Sequence, residues 1–153
     1  MNLPRIWVDA DSCPRIVRDY IIRYSGRLKL PVFFVANRII PADSDSPLLK
    51  MIVCTAEKGA ADNYIANNAE PNDLIITRDI PFAARLVEKK ISVMNDRGLL
   101  FTSENIAERL SERDFSLQLA EIGLAGNKKY SYSKKNFENF ANAFDREIHK
   151  LIK

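Results

Sequence analysis

Short apolar runs, separated by segments with the period of a helix, are the feature that most constrains the fold of this chain. The runs are rich in β-branched residues and almost wholly apolar, which is typical of strands buried on both faces of a parallel sheet. Their alternation with helical segments predicts βαβ units. We therefore expect an α/β fold of three layers, α/β/α, with a mainly parallel central sheet. The predicted strands lie at about 5–9, 31–36, 51–54, 73–77 and 91–94.

Helical periodicity predicts the layers on either side of the sheet and a helical extension after it. Pro14 suits the first position of a helix and Gly26 its end, so the first helix is expected between them. No strand is predicted after Gly98. Ser133 is the expected N-cap of a last helix whose phenylalanine stripe should pack in the core. The predicted helices lie at about 14–25, 58–69, 81–89, 103–110 and 112–122, and from about 133 onward.

Length and composition predict a single domain over residues 1–153, with a C-terminal helical extension at about 103–153. A chain of 153 residues that is 46% hydrophobic can bury a substantial core. No apolar run approaches the roughly 20 residues of a membrane-spanning helix, and no secretory signal is recognisable near the N-terminus. The spacing of the two cysteines matches no metal knuckle or redox pair. We expect a cytoplasmic protein with reduced thiols and no membrane partner.

Four aspartates lie close to the points where predicted strands end. Asp9 and Asp11 follow the first strand in "IWVDADSCP", and Asp79 follows the fourth in "LIITRD". Asp62 opens the helix that comes after the third strand. Ligands of parallel sheets bind at the carboxyl ends of the strands, near the point where strand order reverses. With the common strand order 3-2-1-4-5, strands one and four are neighbours and these acids converge.

Converging carboxylates predict a hard divalent cation, because like charges a few ångströms apart raise one another's pKa unless a cation is held between them. Mg²⁺ or Mn²⁺ takes oxygen ligands and commonly contacts a substrate phosphate as well. Asp9, Asp62 and Asp79 are the predicted metal ligands, with Asp11 as a further ligand or a base. Metal-assisted phosphodiester hydrolysis needs no nucleophilic side chain. That chemistry suits a chain whose one histidine, His149, is remote from these acids in sequence.

Conformational roles for the same acids stay open at this point. Aspartate is common in turns and as a helix N-cap, so each acid taken alone has such an explanation. Asp11 or Ser12 can cap the first helix, since a helix start follows them directly. Asp11 can therefore be a metal ligand, a general base or a helix cap.

Basic and amide side chains near the same edge of the predicted sheet are candidates for substrate binding. Asn37 and Arg38 follow the second strand, Arg78 follows the fourth, and Arg97 follows the last. Arg78 can bind a phosphate bidentately or pair with an acid. Loop and turn roles are the alternatives for the other three.

The segment "NKKYSYSKK" is a candidate for nucleic-acid contact. Lys128 and Lys129 open it, and further lysines interleave with Tyr130 and Tyr132. Such a composition suits phosphate contact combined with stacking on bases. A purely solubilising role is the alternative. RNA is the partner that these residues predict.

Longer motifs occur in the order "VDADSCP", "KGAADNYI", "LIITRDIPFAARLVEK" and "NDRGLLFTSENI". Together they resemble the YaiI/YqxD family of small bacterial proteins, and the likeness runs from about residue 5 through "FANAFDREI". The fold of that family is similar to PIN-domain nucleases. The resemblance therefore implies a PIN-like fold and a metal-dependent nuclease.

The resemblance also implies roles for particular residues. PIN nucleases carry an aspartate at the end of the first strand, acids on a central helix and a "T-x-D" element after a later strand. These correspond to Asp9, to Asp62 and to Thr77 with Asp79, while Asp11 belongs to the family's own "DAD" element. This chain departs from the family pattern in having "DSCP" for "DACP", and an asparagine in place of a second acid directly after the helix aspartate.

Three functions are compatible with these patterns. The first is a divalent-metal nuclease, with RNA expected rather than DNA, in which the hydroxyl of Thr77 orients a water or a phosphate. The second is a haloacid-dehalogenase-like phosphatase with Asp9 as nucleophile and Asp11 as general acid, although Asp96 alone follows the last strand where an acid pair is expected. The third is a non-catalytic module that binds a metal or RNA.

Overall fold

A six-stranded sheet runs through the structure, a computed structural model that describes residues 3–41, 46–124 and 131–152. The strands are β1 Ile6–Asp9, β2 Val32–Ala36, β3 Leu49–Val53, β4 Leu74–Ile76, β5 Ser92–Met94 and β6 Leu100–Phe101. A 3₁₀ turn spans Ala10–Ser12, and the helices are α1 Arg15–Leu28, α2 Ala60–Asn68, α3 Ile80–Glu88, α4 Ile106–Glu121 and α5 Lys134–Ile152.

The strand order is β3-β2-β1-β4-β5-β6, and the first five strands are parallel to their neighbours. This confirms the predicted order 3-2-1-4-5. The expectation that no strand follows Gly98 is wrong, because β6 pairs antiparallel with β5. Strand β6 has only two residues, too few for an alternating pattern to be recognised. The reversal before it depends on Asn95, whose side-chain oxygen accepts hydrogen bonds from the backbone N–H groups of Arg97 and Leu99.

Two apolar cores lie on opposite faces of the sheet and confirm the three-layer arrangement. Successive side chains of a strand point to opposite faces, so Ile6 and Val8 enter one core and Trp7 the other. The first core is completed by Val17 and Ile21 of α1 and by Phe140, Phe144 and Ile148 of α5; the second is completed by Ala61 and Ile65 of α2 and by Phe82 and Leu86 of α3.

The helix boundaries differ from the predicted ones at two places. Helix α1 continues through Gly26 to Leu28 and ends at Lys29, which takes the left-handed conformation with φ of 56°. The two segments predicted at 103–110 and 112–122 form the single helix α4, which has no buried residue, so its apolar periodicity is a poor guide to its extent.

Two further expectations concern the burial of strand β3 and the start of helix α5. Strand β3 is at the edge of the sheet and is half-exposed, with Val53 at 50% exposure, so its burial on both faces was wrongly predicted. Helix α5 begins as predicted, since the Ser133 hydroxyl accepts a hydrogen bond from the N–H of Asn136 at 3.0 Å. In the described part of the chain, no helix is both long enough and apolar enough to cross a bilayer.

Gly98 and Gly26 provide a matched pair for testing the packing of the β5–β6 turn against α5. Gly98 has φ of 88°, and a Cβ there would lie 2.5 Å from the backbone oxygen of Asn139. We expect Gly98→Ala to lower the free energy of unfolding by about 2–4 kcal/mol, measured by urea denaturation. Gly26 is helical, and a Cβ added there would meet no neighbouring atom within 4 Å, so Gly26→Ala should raise stability by up to about 1 kcal/mol. Equal effects of the two substitutions would contradict the described turn.

Candidate active site

Parallel pairing of β1 with β4 brings Asp9 and Thr77 to the same edge of the sheet. The Thr77 hydroxyl donates a hydrogen bond to Oδ2 of Asp9 at 2.9 Å and accepts one from the N–H of Asp79 at 3.1 Å. Thr77 is only 2% exposed, so both bonds are sheltered from water. The three residues therefore form one connected unit.

Asp79 also caps helix α3. Its Oδ1 accepts a hydrogen bond from the N–H of Phe82 at 3.0 Å, and the proline at the start of the helix follows. The conformational and the functional interpretation of Asp79 are thus not exclusive, because the cap fixes the carboxylate at the edge where β1 and β4 end.

A cleft of about 510 Å³ opens at this edge of the sheet, and all four predicted acids line it. Asp62 reaches it from the first turn of α2, a helix whose N-cap is Gly59 in the left-handed conformation, with φ of 81°. The residues that line the cleft are Asp9, Asp11, Ser12, Asn37, Gly59, Ala61, Asp62, Arg78, Asp79, Ile80 and Arg113.

The carboxylates of the cleft perturb one another. Burial raises the pKa of Asp62 to about 6, with further upward contributions from the charges of Asp9 and Asp79 and from a hydrogen bond with the Asp79 side chain. The charge of Arg85 acts in the opposite direction. Burial also raises the pKa of Asp9, although the hydrogen bond from Thr77 partly offsets this. The site therefore stores unfavourable charge when all its acids are ionised.

Asp11 binds the loop after β2. Its carboxylate accepts a hydrogen bond from the backbone N–H of Asn37 at 3.0 Å and lies 3.5 Å from Nε of Arg38. The predicted capping role is wrong for both Asp11 and Ser12, because the N-cap of α1 is Pro14, which makes no side-chain capping hydrogen bond. The Asp11–Asn37 bond brings the loop to the rim of the cleft.

Arg78 pairs with an acid, which was one of the two predicted alternatives. Its Nε and Nη2 lie 2.8 and 2.6 Å from Oδ2 of Asp96, a residue that is 2% exposed. Arg78 lines the cleft as well. In the sequence, Asp96 is a candidate only for a phosphatase, and nothing local in "NDRG" indicates which arginine it pairs with.

Among the described residues predicted to bind substrate, Arg38 and Arg97 are not part of the cleft lining. Arg97 is exposed in the turn between β5 and β6 and is not among the residues that line the cleft. Lys128 and Lys129 lie outside the described residues. Arg113, by contrast, was missed: it lines the cleft from α4, and its position depends on how α4 packs against α3, for which the sequence carries no local signal.

The four acids share a cleft without closing around one point. Among residues 3–41, 46–124 and 131–152, no group of three or more histidine, cysteine, aspartate and glutamate side chains is arranged to hold a metal ion. The arrangement is an open, partly buried acidic cleft with arginine side chains on its walls.

Comparison with known families agrees with the motifs. A family model described as "Uncharacterized BCR, YaiI/YqxD family" matches residues 7–150. The chain belongs to the YaiI/YqxD family. All residues that line the cleft fall within the part that matches the YaiI/YqxD model.

Several curated relatives carry the name "UPF0178 protein". The protein from Treponema denticola is 46% identical over 149 residues, which cover 97% of this YaiI/YqxD chain and 94% of the relative. The relative from Myxococcus xanthus is 44% identical and that from Geobacter metallireducens 42%, with 97% of this chain covered in each case and 97% and 96% of the relatives. No solved structure matches the chain.

The crowding of the acids predicts a gain in stability when Asp62 is neutralised. Because the pKa of Asp62 is raised to about 6, folding is favoured while it is protonated and loses stability as the pH rises from its ordinary value of 3.8 through 6. We expect Asp62→Asn in this YaiI/YqxD protein to raise the thermal midpoint in metal-free buffer at about pH 8, with the gain disappearing near pH 4.

Asp19→Asn is the control for this comparison. Asp19 is an exposed residue of α1 whose carboxylate lies 3.8 Å from Arg15, a loose surface pair. The substitution removes the same charge away from the cleft, so its effect should not rise with pH. A midpoint for Asp62→Asn that is the same as the parent's at both pH values would contradict the described crowding.

Proposed function

We propose that this protein is a divalent-metal-dependent nuclease that hydrolyses phosphodiester bonds, with RNA as the preferred substrate. The observation that carries the proposal is the unit of Asp9, Thr77 and Asp79, joined by two hydrogen bonds at the rim of a cleft that Asp62 also lines. The same residues are those that the likeness to PIN nucleases implies.

The donor set of the cleft fits Mg²⁺ or Mn²⁺. Carboxylate oxygens are the ligands these cations prefer. Burial, and after it the neighbouring carboxylates, raise the pKa values of Asp9 and Asp62, so a bound cation would stabilise their ionised forms. Magnesium is commonly held by one or two carboxylates together with waters and substrate phosphates, so a closed cage of three acids is not needed. Asp9, Asp62 and Asp79 would hold the ion, which when bound supplies an activated water and stabilises charge on the phosphate.

The walls of the cleft suit a polyanionic substrate. Arg78, just before α3, and Arg113, in α4, both line it, and Asn37 adds an amide. Guanidinium groups match the geometry of phosphate oxygens, which favours a phosphodiester over a neutral ligand. Arg38 extends the basic character beyond Asp11.

The phosphatase alternative needs Asp11 to act as a general acid. In the structure the Asp11 carboxylate accepts the N–H of Asn37 and pairs with Arg38, so it is engaged by the loop after β2 and not directed at a leaving group. Asp11 instead supports the rim of the cleft. The nuclease is therefore the function we propose.

Asp9→Asn tests the proposal directly. We expect Mn²⁺- or Mg²⁺-dependent cleavage of a labelled single-stranded RNA to fall by at least about a hundredfold, since several kcal/mol of transition-state stabilisation depend on the metal. Asp19→Asn, prepared in parallel, should cleave like the parent. Unchanged cleavage by Asp9→Asn would contradict the role of Asp9 in the active site. If the parent binds RNA without any metal-dependent cleavage, the protein is a non-catalytic module.

Thr77→Val tests the hydrogen-bonded unit without changing charge. Valine fills nearly the same volume but leaves Asp9 Oδ2 and the N–H of Asp79 without their shared partner. We expect cleavage to fall by about 10- to 100-fold, the range typical of residues that orient metal ligands. Thr77→Ser keeps the hydroxyl and should retain most activity. Equal activity of the valine and serine variants would contradict the orienting role.

A further inference from the structure

Asp96 is a buried carboxylate that pairs with Arg78, one of the residues that line the cleft. It is 2% exposed, and its Oδ2 receives both Nε and Nη2 of Arg78 at 2.8 and 2.6 Å. Asp96 is not among the residues that line the cleft, whereas Arg78 is. The acid therefore reaches the cleft through the arginine.

The geometry of this pair restricts the guanidinium. Two N–H groups converge on one carboxylate oxygen, which fixes both the position and the plane of the Arg78 head group. A free arginine side chain would lose about as much rotamer entropy on binding as any other long side chain. An arginine that is already held in place loses less and binds more tightly.

The backbone of Asp96 is itself held on two sides. The turn that contains it is closed by Asn95, and the carbonyl oxygen of Asp96 accepts a hydrogen bond from the Tyr132 hydroxyl, just before α5. Gly98 brings the turn against the backbone of Asn139 in α5. The backbone of Asp96 is thus held in place by contacts that do not involve the arginine.

We propose that Asp96 is a positioning residue that holds the Arg78 guanidinium in the cleft wall, where Arg78 contacts a backbone phosphate of single-stranded nucleic acid. The substrate class rests on the proposed function, but the role of Asp96 does not require cleavage. Asp96 takes no part in binding the metal.

Binding of a fluorescein-labelled oligouridylate, measured by fluorescence anisotropy in metal-free buffer at low ionic strength, tests this inference. Removing the negative charge of Asp96 makes the cleft more positive, so charge alone predicts tighter binding by Asp96→Asn. If Asp96 instead positions Arg78, Asp96→Asn should bind the oligouridylate more weakly. We expect Asp96→Asn and Arg78→Ala each to weaken binding by about tenfold.

The double variant and a lysine variant separate positioning from a general loss of packing. If Asp96 acts through Arg78, the double variant should bind within about twofold of Arg78→Ala alone. Arg78→Lys leaves Asp96 in place and keeps the charge but cannot form both bonds, so it too should bind more weakly than the parent. Asp96→Asn that binds as well as or better than the parent, or Arg78→Lys with full affinity, overturns the inference.

The chain contains a matched ion pair at the other end of the sheet. Arg5 and Asp73 have side-chain exposures of 32% and 4% and lie 2.9 Å apart, whereas Arg78 and Asp96 have 32% and 3%. Arg5→Ala should therefore lower thermal stability without weakening binding, and all binding is measured below the lowest thermal midpoint of the set. Weakened binding by Arg5→Ala equal to that of Arg78→Ala would overturn the inference.

A failure of the nuclease proposal can be distinguished from a failure of this inference. If no variant or parent cleaves RNA with Mn²⁺ but the binding pattern holds, the nuclease fails and the positioning role of Asp96 stands. If the parent cleaves and the binding pattern is absent, the nuclease stands and this inference fails.

Discussion

The parallel pairing of β1 with β4 is the contact on which the rest of the site depends. It sets Val8 opposite Ile76, so that the next residues, Asp9 at the end of β1 and Thr77 just after β4, lie side by side. At the opposite end the same two strands are joined by Asp73, which accepts hydrogen bonds from the backbone and side chain of Arg5 and from the indole of Trp7. A one-residue slip of this register would reverse the faces of β1 and separate Asp9 from Thr77.

The pairing also accounts for how charge is tolerated at the edge. Helices α2 and α3 begin at this edge, where Asp62 lies in the first turn of α2 and Asp79 is the N-cap of α3. Helix N-termini favour negative charge, which offsets part of the repulsion among the acids. Burial, together with the remaining repulsion from Asp9 and Asp79, raises the pKa of Asp62. The fold thus gives up some stability to keep several carboxylates around one cleft, a common property of functional sites.

Sequence reasoning succeeds here where a local pattern determines the structure. The apolar strands, their order and the convergence of the four aspartates follow from strand-end positions in a parallel sheet, and the structure has Asp9, Asp11, Asp62 and Asp79 at one cleft. It fails where packing between distant segments determines the position of a side chain. Arg113 reaches the cleft only because α4 lies against α3, and the partner of Arg78 is 18 residues away across a turn that no local rule specifies.

The Thr77 hydroxyl has one proton, and the structure assigns it. Since the oxygen accepts the N–H of Asp79, its proton goes to Asp9, and Oδ2 of Asp9 must be a bare acceptor. A proton on that oxygen would compete with the hydrogen bond from the hydroxyl, so the threonine favours Oδ1 as the site of protonation and leaves Oδ2 one lone pair for a ligand. A residue without charge thereby makes the two oxygens of one carboxylate chemically different.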